Sequence, residues 1–191
     1  MPLLSQFRAA PNLLTLMRLF IIPFLVIAIL DGHDRTAFGL FLLAGVSDAL
    51  DGLLARMLKQ KTTLGQYLDP IADKLLLSTL FVVLTHVGLI PLYVTVLVFS
   101  RDVGILLIST LLYMTNTLRD FRPSLFGKLN TLAQILTLIV VMCQKVFVSI
   151  DLTMAREVLL RTIAVLAPLS AAQYAWIVFR RVNTPPAETV V

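Results

Sequence analysis

Four aspartates lie at helical spacing in one short stretch of an otherwise apolar chain. Asp48 and Asp51 are three positions apart, and Asp69 and Asp73 are four positions apart. Because each residue of a helix turns the chain by about 100°, the two members of each pair share a face. A carboxylate inside a bilayer costs about 3 kcal/mol when nothing neutralises it. The spacing therefore predicts a site in which the acids bind cations.

The segment between the two pairs predicts that they converge. Residues 57–67 read MLKQKTTLGQY, a connection short enough to make the flanking helices antiparallel neighbours. Both pairs then lie at one level, just inside the cytoplasmic interface of a membrane. Four carboxylates at one level repel one another unless cations lie among them. Hard oxygen ligands in this number suit Mg²⁺ or Mn²⁺, and two such ions can share them.

Small residues and one arginine accompany the acids. Gly52 and Gly65 need a reason to be there, since glycine in a helix interior costs about 1 kcal/mol relative to alanine. Close approach of a ligand to the backbone is one reason. Helix–helix packing through small residues, with Ala55 alongside, is the other. Arg56 can meet a phosphate near the metal ions, or it can anchor the helix end at the membrane surface.

Composition places this stretch in a membrane protein. Of the 191 residues, 58% are hydrophobic and only 14% are charged, against about a quarter charged in soluble domains. In such a protein, a net charge of +5 favours contact with anionic head groups over nucleic acid. The single cysteine, Cys143, lies in an apolar run. It excludes a disulfide framework and indicates core packing.

Apolar runs predict an all-α integral membrane fold with six transmembrane helices. A span needs about 20 mostly apolar residues, and an open strand at that depth leaves its backbone unsatisfied. Residues 2–10 form a short interfacial helix or a frayed terminus, and the sequence leaves both open. We expect one membrane domain over 1–182 and a loose polar tail over 183–191. The predicted spans are 12–30, 36–56, 69–87, 91–114, 127–150 and 156–179.

Basic residues predict the orientation. With the N-terminus inside, nine of them lie on the cytoplasmic side of the spans and four on the opposite side. Because an excess of Lys and Arg marks the cytoplasmic side, we expect both termini and the aspartates to face the cytoplasm. The inner residues are Arg8, Arg56, Lys59, Lys61, Arg119, Arg122, Lys128, Arg180 and Arg181; the outer ones are Arg35, Lys145, Arg156 and Arg161.

Eight residues of the opening stretch match a known signature without departure. The pattern is D-x2-D-G-x2-A-R-x8-G-x3-D-x3-D, and it resembles the signature of the CDP-alcohol phosphatidyltransferases. The layout of six membrane helices, with the motif across the second and third, is similar as well. This resemblance implies transfer of a phosphatidyl group from CDP-diacylglycerol to an alcohol, with release of CMP. The matching residues are Asp48, Asp51, Gly52, Ala55, Arg56, Gly65, Asp69 and Asp73.

The resemblance also implies a role for each motif residue. The four aspartates would hold two divalent ions, Mg²⁺ or Mn²⁺, which bind the pyrophosphate and offset charge on the leaving CMP. Asp73 would act as general base for the acceptor hydroxyl. The small residues would make room for the nucleotide, and Arg56 would bind its phosphates. The implied CDP-binding residues are Asp48, Gly52, Ala55, Arg56, Gly65 and Asp69.

The acceptor must be read from other residues. Arg101 lies halfway along the fourth predicted span, where an arginine is a functional candidate unless it forms a buried ion pair. Family members that use glycerol-3-phosphate usually have Glu after this arginine and a second Arg eight positions on. Here Asp102 and Ser109 stand at those places. The stretches 89–103 and 127–134 are more similar to the eukaryotic-type cardiolipin synthases.

We therefore expect phosphatidylglycerol, which carries one charge, as the acceptor. Arg101 is its predicted main contact, and Lys128 and Arg18 are further acceptor-binding candidates whose alternative role is to anchor head groups. The opening of the first span, residues 11–18, is similar to family members with glycerol-type acceptors. Glycerol-3-phosphate, which would give phosphatidylglycerophosphate, is the main alternative. Inositol-phosphate, serine and choline have less in the sequence to favour them.

Two other classes of protein compete with an enzyme. A cation channel or carrier would explain four acids but not the glycines, Ala55 and Arg56 at these spacings. A purely structural membrane protein gains nothing from clustered carboxylates. The resemblance further implies a homodimer. We favour a bacterial plasma membrane over a mitochondrial inner membrane, since no Arg- and Ser-rich leader precedes the first span.

Overall fold

The computed structural model describes residues 10–57, 63–114 and 125–183. Within those ranges it is all helical and contains no strand, which confirms the all-α part of the predicted fold. The described residues form two compact units. The first unit holds those up to Pro91 together with Leu138–Thr153, and the second holds those of Leu92–Thr137 and from Met154 onward. The helices are α1 (Ala10–Leu30), α2 (Asp34–Met57), α3 (Thr63–His86), α4 (Leu92–Met114), α5 (Leu125–Val146) and α6 (Thr153–Asn183).

Three helix boundaries differ from the prediction by four residues or more, and one of them is the end of α6, which lies at Asn183 rather than at 179. Helix α3 begins at Thr63 rather than at 69, because hydropathy detects only the apolar part of a helix, whereas its backbone hydrogen bonds continue into polar residues. Asp69 therefore lies on the second turn of α3 and not at its start. Helix α5 ends at Val146 rather than at 150. The chain turns there, and the Ile150 N–H donates to the Phe147 carbonyl oxygen at 3.0 Å.

Glycines follow the ends of α1 and α3, in the gaps between the predicted spans. Gly32 and Gly88 have φ values of 72° and 76°, a left-handed conformation that a side chain disfavours. Just after each glycine, a backbone N–H reaches back to the helix end. The His33 N–H donates to the Ala28 carbonyl oxygen at 2.8 Å, and the Leu89 N–H to Leu84 at 2.8 Å. These turns bring α2 back along α1 and end α3 sharply.

The core of the first unit is the packing of α1 against α2 and α3. Its buried residues recur every three or four positions, which is the spacing of one helix face. Alanines on this face let the helices approach closely. One end of the core is polar, since Thr15, Arg18 and Ser47 are buried there. The apolar part consists of Leu25, Ala28 and Ile29 on α1, Ala37, Phe41 and Ala44 on α2, and Ala72, Leu76, Leu80 and Leu84 on α3.

The core of the second unit combines apolar and polar stripes. On α6 the buried residues Leu160, Ile163, Ala167 and Ser170 follow one helix face. Val94 and Val98 on α4 are buried as well, one turn apart, and Asp102 continues the same face. On α5, the buried residues between 130 and 137 include Asn130, Gln134 and Thr137. The second unit therefore buries several polar side chains.

Large apolar side chains cover the outside of the helices. On α1, Phe20, Phe24 and Ile27 share one face and are 69%, 50% and 55% exposed, as is expected where lipid rather than water surrounds a helix. Among the described residues, Leu125–Val146 and Thr153–Arg180 are long and apolar enough to cross a membrane, and Thr15–Leu30 is a shorter apolar helix. These features are consistent with a membrane protein, and the number of six spans stays a prediction.

Candidate active site

A buried arginine joins the three helices of the first unit at its polar end. Arg18 on α1 is 0% exposed. Its Nη2 lies 2.6 Å from Oδ1 of Asp48 on α2, and its Nη1 donates a hydrogen bond of 2.7 Å to Oδ1 of Asp73 on α3. One guanidinium therefore brings together one aspartate from each of the two motif pairs.

Both carboxylates remain accessible. The side chains of Asp48 and Asp73 are 48% and 46% exposed. Asp48 follows the buried Ser47, whose hydroxyl donates to the Leu43 carbonyl oxygen at 2.8 Å, and Asp73 follows the buried Ala72. Each aspartate thus lies at the edge of the buried face of its helix. Its carboxylate touches the core cation and still reaches the surroundings.

The other motif residues lie on the same two helices. The last two turns of α2 carry four of them, and the first two turns of α3 carry two. Their side chains lie outside the described part of the chain, so their roles stay predictions. They are Asp51, Gly52, Ala55 and Arg56 on α2, and Gly65 and Asp69 on α3.

The donor chemistry at this level fits a divalent cation. Carboxylate oxygens are preferred ligands of Mg²⁺ and Mn²⁺. The formal charges of Arg18, Asp48 and Asp73 sum to −1, so the three groups together still attract a cation. Among the described side chains no group of three or more metal-ligating residues is found, since Asp51 and Asp69 are not among them. Asp51 and Asp69 stay the predicted further ligands.

A second buried arginine lies in the second unit. The Arg101 Nη1 is 2.5 Å from Oδ1 of its neighbour Asp102, and the two side chains are only 9% and 4% exposed. Ser170 on α6 accepts hydrogen bonds from Arg101 Nη2 at 2.8 Å and from Nε at 3.2 Å. This is the buried ion pair that the sequence left open as the alternative to substrate binding. The acceptor-binding role of Arg101 stays a prediction.

Helix α5 carries a predicted residue and two that sequence reasoning missed. Lys128 is exposed, as an acceptor contact or a head-group anchor requires. Asn130 and Gln134 are fully buried, and neither amide has a hydrogen-bond partner within the part of the chain that the structure describes. A buried polar group in that condition costs about 1–3 kcal/mol. Two amides four positions apart in an apolar helix were a signal of a polar buried face.

A cavity of about 250 Å³ in the first unit lies at the end of α1 opposite to Arg18. Its lining is mostly apolar and includes Leu30, Val87 and Met142, with Asp34 and Lys145 as charged members. Of the predicted site residues whose side chains the structure describes, none lines it. The candidate chemistry therefore belongs to the accessible carboxylates at the other end of α1, where Arg18 lies.

Sequence comparison decides the family. The family model described as CDP-alcohol phosphatidyltransferase matches residues 8–179. The chain belongs to the CDP-alcohol phosphatidyltransferase family. The predicted resemblance is thereby confirmed, and the motif aspartates on α2 and α3 lie within the matched region.

The named relatives of this chain fall into two groups. The cardiolipin synthase (CMP-forming) of Rattus norvegicus is 36% identical over 155 residues, which cover 72% of this chain and 51% of the relative. A probable phosphatidylglycerophosphate synthase of Mycobacterium tuberculosis is 36% identical over 130 residues, covering 64% of this chain and 60% of the relative. The chain thus spans about half to three fifths of the length of these relatives.

A third relative belongs to the same group as the phosphatidylglycerophosphate synthase. The CDP-diacylglycerol–glycerol-3-phosphate 3-phosphatidyltransferase of Bacillus subtilis is 32% identical over 141 residues, covering 66% of this chain and 72% of the relative. Because both groups match at similar identity, the names of the relatives leave both predicted acceptors in place.

Arg18 is the predicted site residue whose position sequence reasoning did not foresee. We predicted an acceptor contact or a head-group anchor. An anchor must reach the membrane surface, so a side chain that is 0% exposed excludes that alternative. The acceptor-binding role stays a prediction, although both terminal nitrogens of Arg18 already contact motif aspartates. Arg18 lies on α1 at the level of the motif residues of α2 and α3. This position could have indicated a contact with the aspartates, and sequence reasoning missed it.

Proposed function

We propose that the chain transfers a phosphatidyl group from CDP-diacylglycerol to a hydroxyl of a glycerol-type acceptor and releases CMP. The observation that carries the proposal is the position of two motif aspartates. Asp48 and Asp73 come from different helices and contact one guanidinium at 2.6 and 2.7 Å. The family match over residues 8–179 and a relative named as CMP-forming support the same activity.

The four motif aspartates would hold two divalent ions, Mg²⁺ or Mn²⁺. When bound, such ions neutralise the pyrophosphate and the charge that develops on the leaving CMP. The small residues of the motif leave room for the nucleotide, and Arg56 binds its phosphates. The CDP-binding residues of the proposal are Asp48, Gly52, Ala55, Arg56, Gly65 and Asp69.

Asp73 is the proposed general base. Its carboxylate takes the proton of the acceptor hydroxyl, and the acceptor oxygen forms a bond to the phosphorus of the phosphatidyl group. The bond from that phosphorus to the bridging oxygen breaks, and CMP leaves with the electron pair. The side chain of Asp73 is 46% exposed, so an acceptor can reach it. A general base in this role contributes about 10²–10⁴-fold to the rate.

Phosphatidylglycerol is the proposed acceptor, and cardiolipin the product. Arg101 and Asp102 have a formal charge of zero together, and Ser170 fixes the guanidinium. Such a pair suits a phosphodiester with one charge better than a dianionic phosphate, which Asp102 would repel. Lys128, exposed on α5, is a second proposed contact. Glycerol-3-phosphate is the alternative, and the names of the relatives from M. tuberculosis and B. subtilis favour it.

The proposed setting is a membrane that all six helices cross. The exposed apolar faces and the two long apolar helices support that arrangement. We place both termini and the motif on the cytoplasmic side, in a bacterial plasma membrane, with a homodimer as the assembly. A single domain over 1–182 and a loose tail over 183–191 complete the proposal.

A product assay on the purified chain tests the activity and the acceptor together. CDP-diacylglycerol and Mn²⁺ or Mg²⁺ are supplied with phosphatidylglycerol in one reaction and glycerol-3-phosphate in another, and CMP release is followed. Asp73→Asn should be inactive. Asp34→Asn is the matched control, since Asp34 lies on the first turn of α2, well away from Asp48.

The two acceptors give different outcomes. CMP release with phosphatidylglycerol alone supports cardiolipin synthesis. Release with glycerol-3-phosphate alone replaces the proposed acceptor and keeps the activity. Silence in both reactions, with Mn²⁺-dependent CMP binding retained, removes both acceptors and keeps the nucleotide site.

A further inference from the structure

The strongest feature that the proposed function leaves unexplained is the burial of Arg18. The side chain is 0% exposed, and it lies one turn from the buried Ile21 on an apolar helix. A fully buried guanidinium requires compensating negative charge. It finds this charge in Asp48 and Asp73, which belong to two other helices. Substrate would have to displace at least one of these contacts to bind Arg18 directly.

We propose that Arg18 is a positioning residue that sets the orientation of Asp48 and Asp73 as metal ligands. This inference rests on the proposed function, and it assigns Arg18 to the aspartates in place of the acceptor. The guanidinium is planar and rigid, so nitrogens that contact one oxygen of each carboxylate fix the separation of the two groups. Hydrogen-bonding partners behind metal-ligating carboxylates commonly act in this way.

The contacts are compatible with metal binding by the same aspartates. Arg18 contacts Oδ1 of each residue, and a carboxylate has two oxygens with about four acceptor sites in total. Both side chains keep nearly half of their surface exposed. The accessible part of each carboxylate therefore faces the surroundings while its buried part is held by the arginine.

Formal charge supports the same role. Four aspartates and two divalent ions sum to zero, and Arg18 adds one positive charge. A site with a net charge of +1 attracts the anionic pyrophosphate of the donor. Arg18 thus contributes to the charge of the site without contacting the substrate.

The test is Mn²⁺ affinity of the intact chain in detergent micelles, measured by titration and electron paramagnetic resonance. Arg18→Gln should weaken Mn²⁺ binding by about 10–100-fold, the usual effect of removing such a partner. Arg18→Lys keeps the charge but cannot bridge two carboxylates, so it should recover only part of the affinity. The KM for the acceptor should not change in the residual activity. Arg161→Gln is the matched control, because Arg161 is 80% exposed and 3.9 Å from Glu157.

Unchanged or tighter Mn²⁺ binding in Arg18→Gln overturns the proposal, and a raised acceptor KM with unchanged Mn²⁺ affinity assigns Arg18 to the acceptor instead. If the chain binds Mn²⁺ in an Arg18-dependent way but releases no CMP with any acceptor, the positioning role holds and the proposed activity fails. If the wild-type chain binds no Mn²⁺, both fail.

A second measurement uses only the wild-type chain, so it does not depend on whether a variant folds. In the wild-type chain, the guanidinium protons of Arg18 should exchange slowly with solvent, as seen by nitrogen-detected NMR of labelled arginine. Slow exchange that persists when Mg²⁺ is added supports a positioning residue. Exchange that becomes fast with Mg²⁺ shows that the metal displaces the arginine, and this overturns the proposal.

Discussion

Among the described residues, Arg18 and Arg101 each contact aspartates and have little or no exposed surface, and they differ in how their charge is balanced. Arg18 bridges two aspartates from different helices, each of which is about half exposed. Arg101 pairs with its own chain neighbour Asp102, and both are buried. The first cluster has a formal charge of −1 and accessible oxygens, whereas the second is neutral and enclosed. The comparison shows that the Arg18 cluster leaves carboxylate surface open to the surroundings, whereas little of the Arg101 cluster is exposed.

The largest expected effect separates the acids of the two clusters. Asp73→Asn should lower CMP release by about 10²–10⁴-fold, because it removes a general base, and should lower the unfolding midpoint less than Asp102→Asn does, since the buried Arg18 keeps Asp48 as a partner. Asp102→Asn should do the reverse, with a lower midpoint and less than about tenfold loss of turnover by the folded protein. Turnover and thermal unfolding in detergent are measured for both. Equal loss of turnover in the two variants would break the distinction.

Removing each arginine sharpens the comparison through stability. Arg101→Met leaves a carboxylate that is 4% exposed without its cation, and this should cost about 3 kcal/mol of unfolding free energy. Arg18→Met leaves two carboxylates that water or lipid head groups can reach, so it should cost about 1 kcal/mol. Denaturant midpoints in mixed micelles measure both values.

A double variant provides the control for the stability experiment. Arg101→Met with Asp102→Leu removes both charges and should recover most of the loss. A larger loss for Arg18→Met than for Arg101→Met would show that the first cluster is the closed one.

The serine of the second cluster should have a smaller effect. Ser170→Ala removes the acceptor of hydrogen bonds from Arg101 at 2.8 and 3.2 Å and should cost about 1.5 kcal/mol of unfolding free energy. The matched control is Ser100→Ala, since Ser100 is exposed and bonds only a carbonyl of its own helix. Equal midpoints for the two variants would mean that Arg101 does not depend on Ser170.

The smallest expected effect concerns an acid outside both clusters. Hydrogen bonds from the hydroxyl and the backbone N–H of Thr153 lower the pKa of Asp151 below its ordinary value of 3.8. Its contribution to stability is therefore fully present above that value and is lost as the pH falls through the lowered pKa. The wild type should have the slightly higher thermal midpoint above pH 3.8, and the difference from Asp151→Asn should shrink as the pH falls below that value. If the difference between the two thermal midpoints grew as the pH fell, the predicted pH dependence would be wrong.

Local rules predicted the helices and turns well. Apolar runs gave six helices, and the glycines at 32 and 88 ended two of them where expected. The early start of α3 was missed, because Thr63 and Gly65 look polar or helix-breaking in isolation. The end of α5 was missed as well, because apolar residues continue past Val146 into a turn.

The candidate site was predictable only where spacing along one helix decides it. Asp48 and Asp73 follow from the motif. The contact of Arg18 with Asp73 joins residues 55 positions apart, and that of Arg101 with Ser170 joins residues 69 positions apart. Helical periodicity relates residues three or four positions apart. It cannot predict contacts between residues so far apart in the chain. The unpartnered amides of Asn130 and Gln134 needed burial values, which no pattern of residue types supplies.

The bridge made by Arg18 also has a consequence for how the chain enters a bilayer. Because synthesis runs from the N-terminus, α1 is made before α2 and α3. The guanidinium of Arg18 is therefore present before either aspartate. The helices that follow bring Asp48 and then Asp73, and each acid would cost about 3 kcal/mol to insert alone. Because Arg18 is already present, each of these two aspartates can pair with a positive charge as soon as its helix packs against α1. A chain whose first helix lacked this arginine would have to insert both acids without a partner.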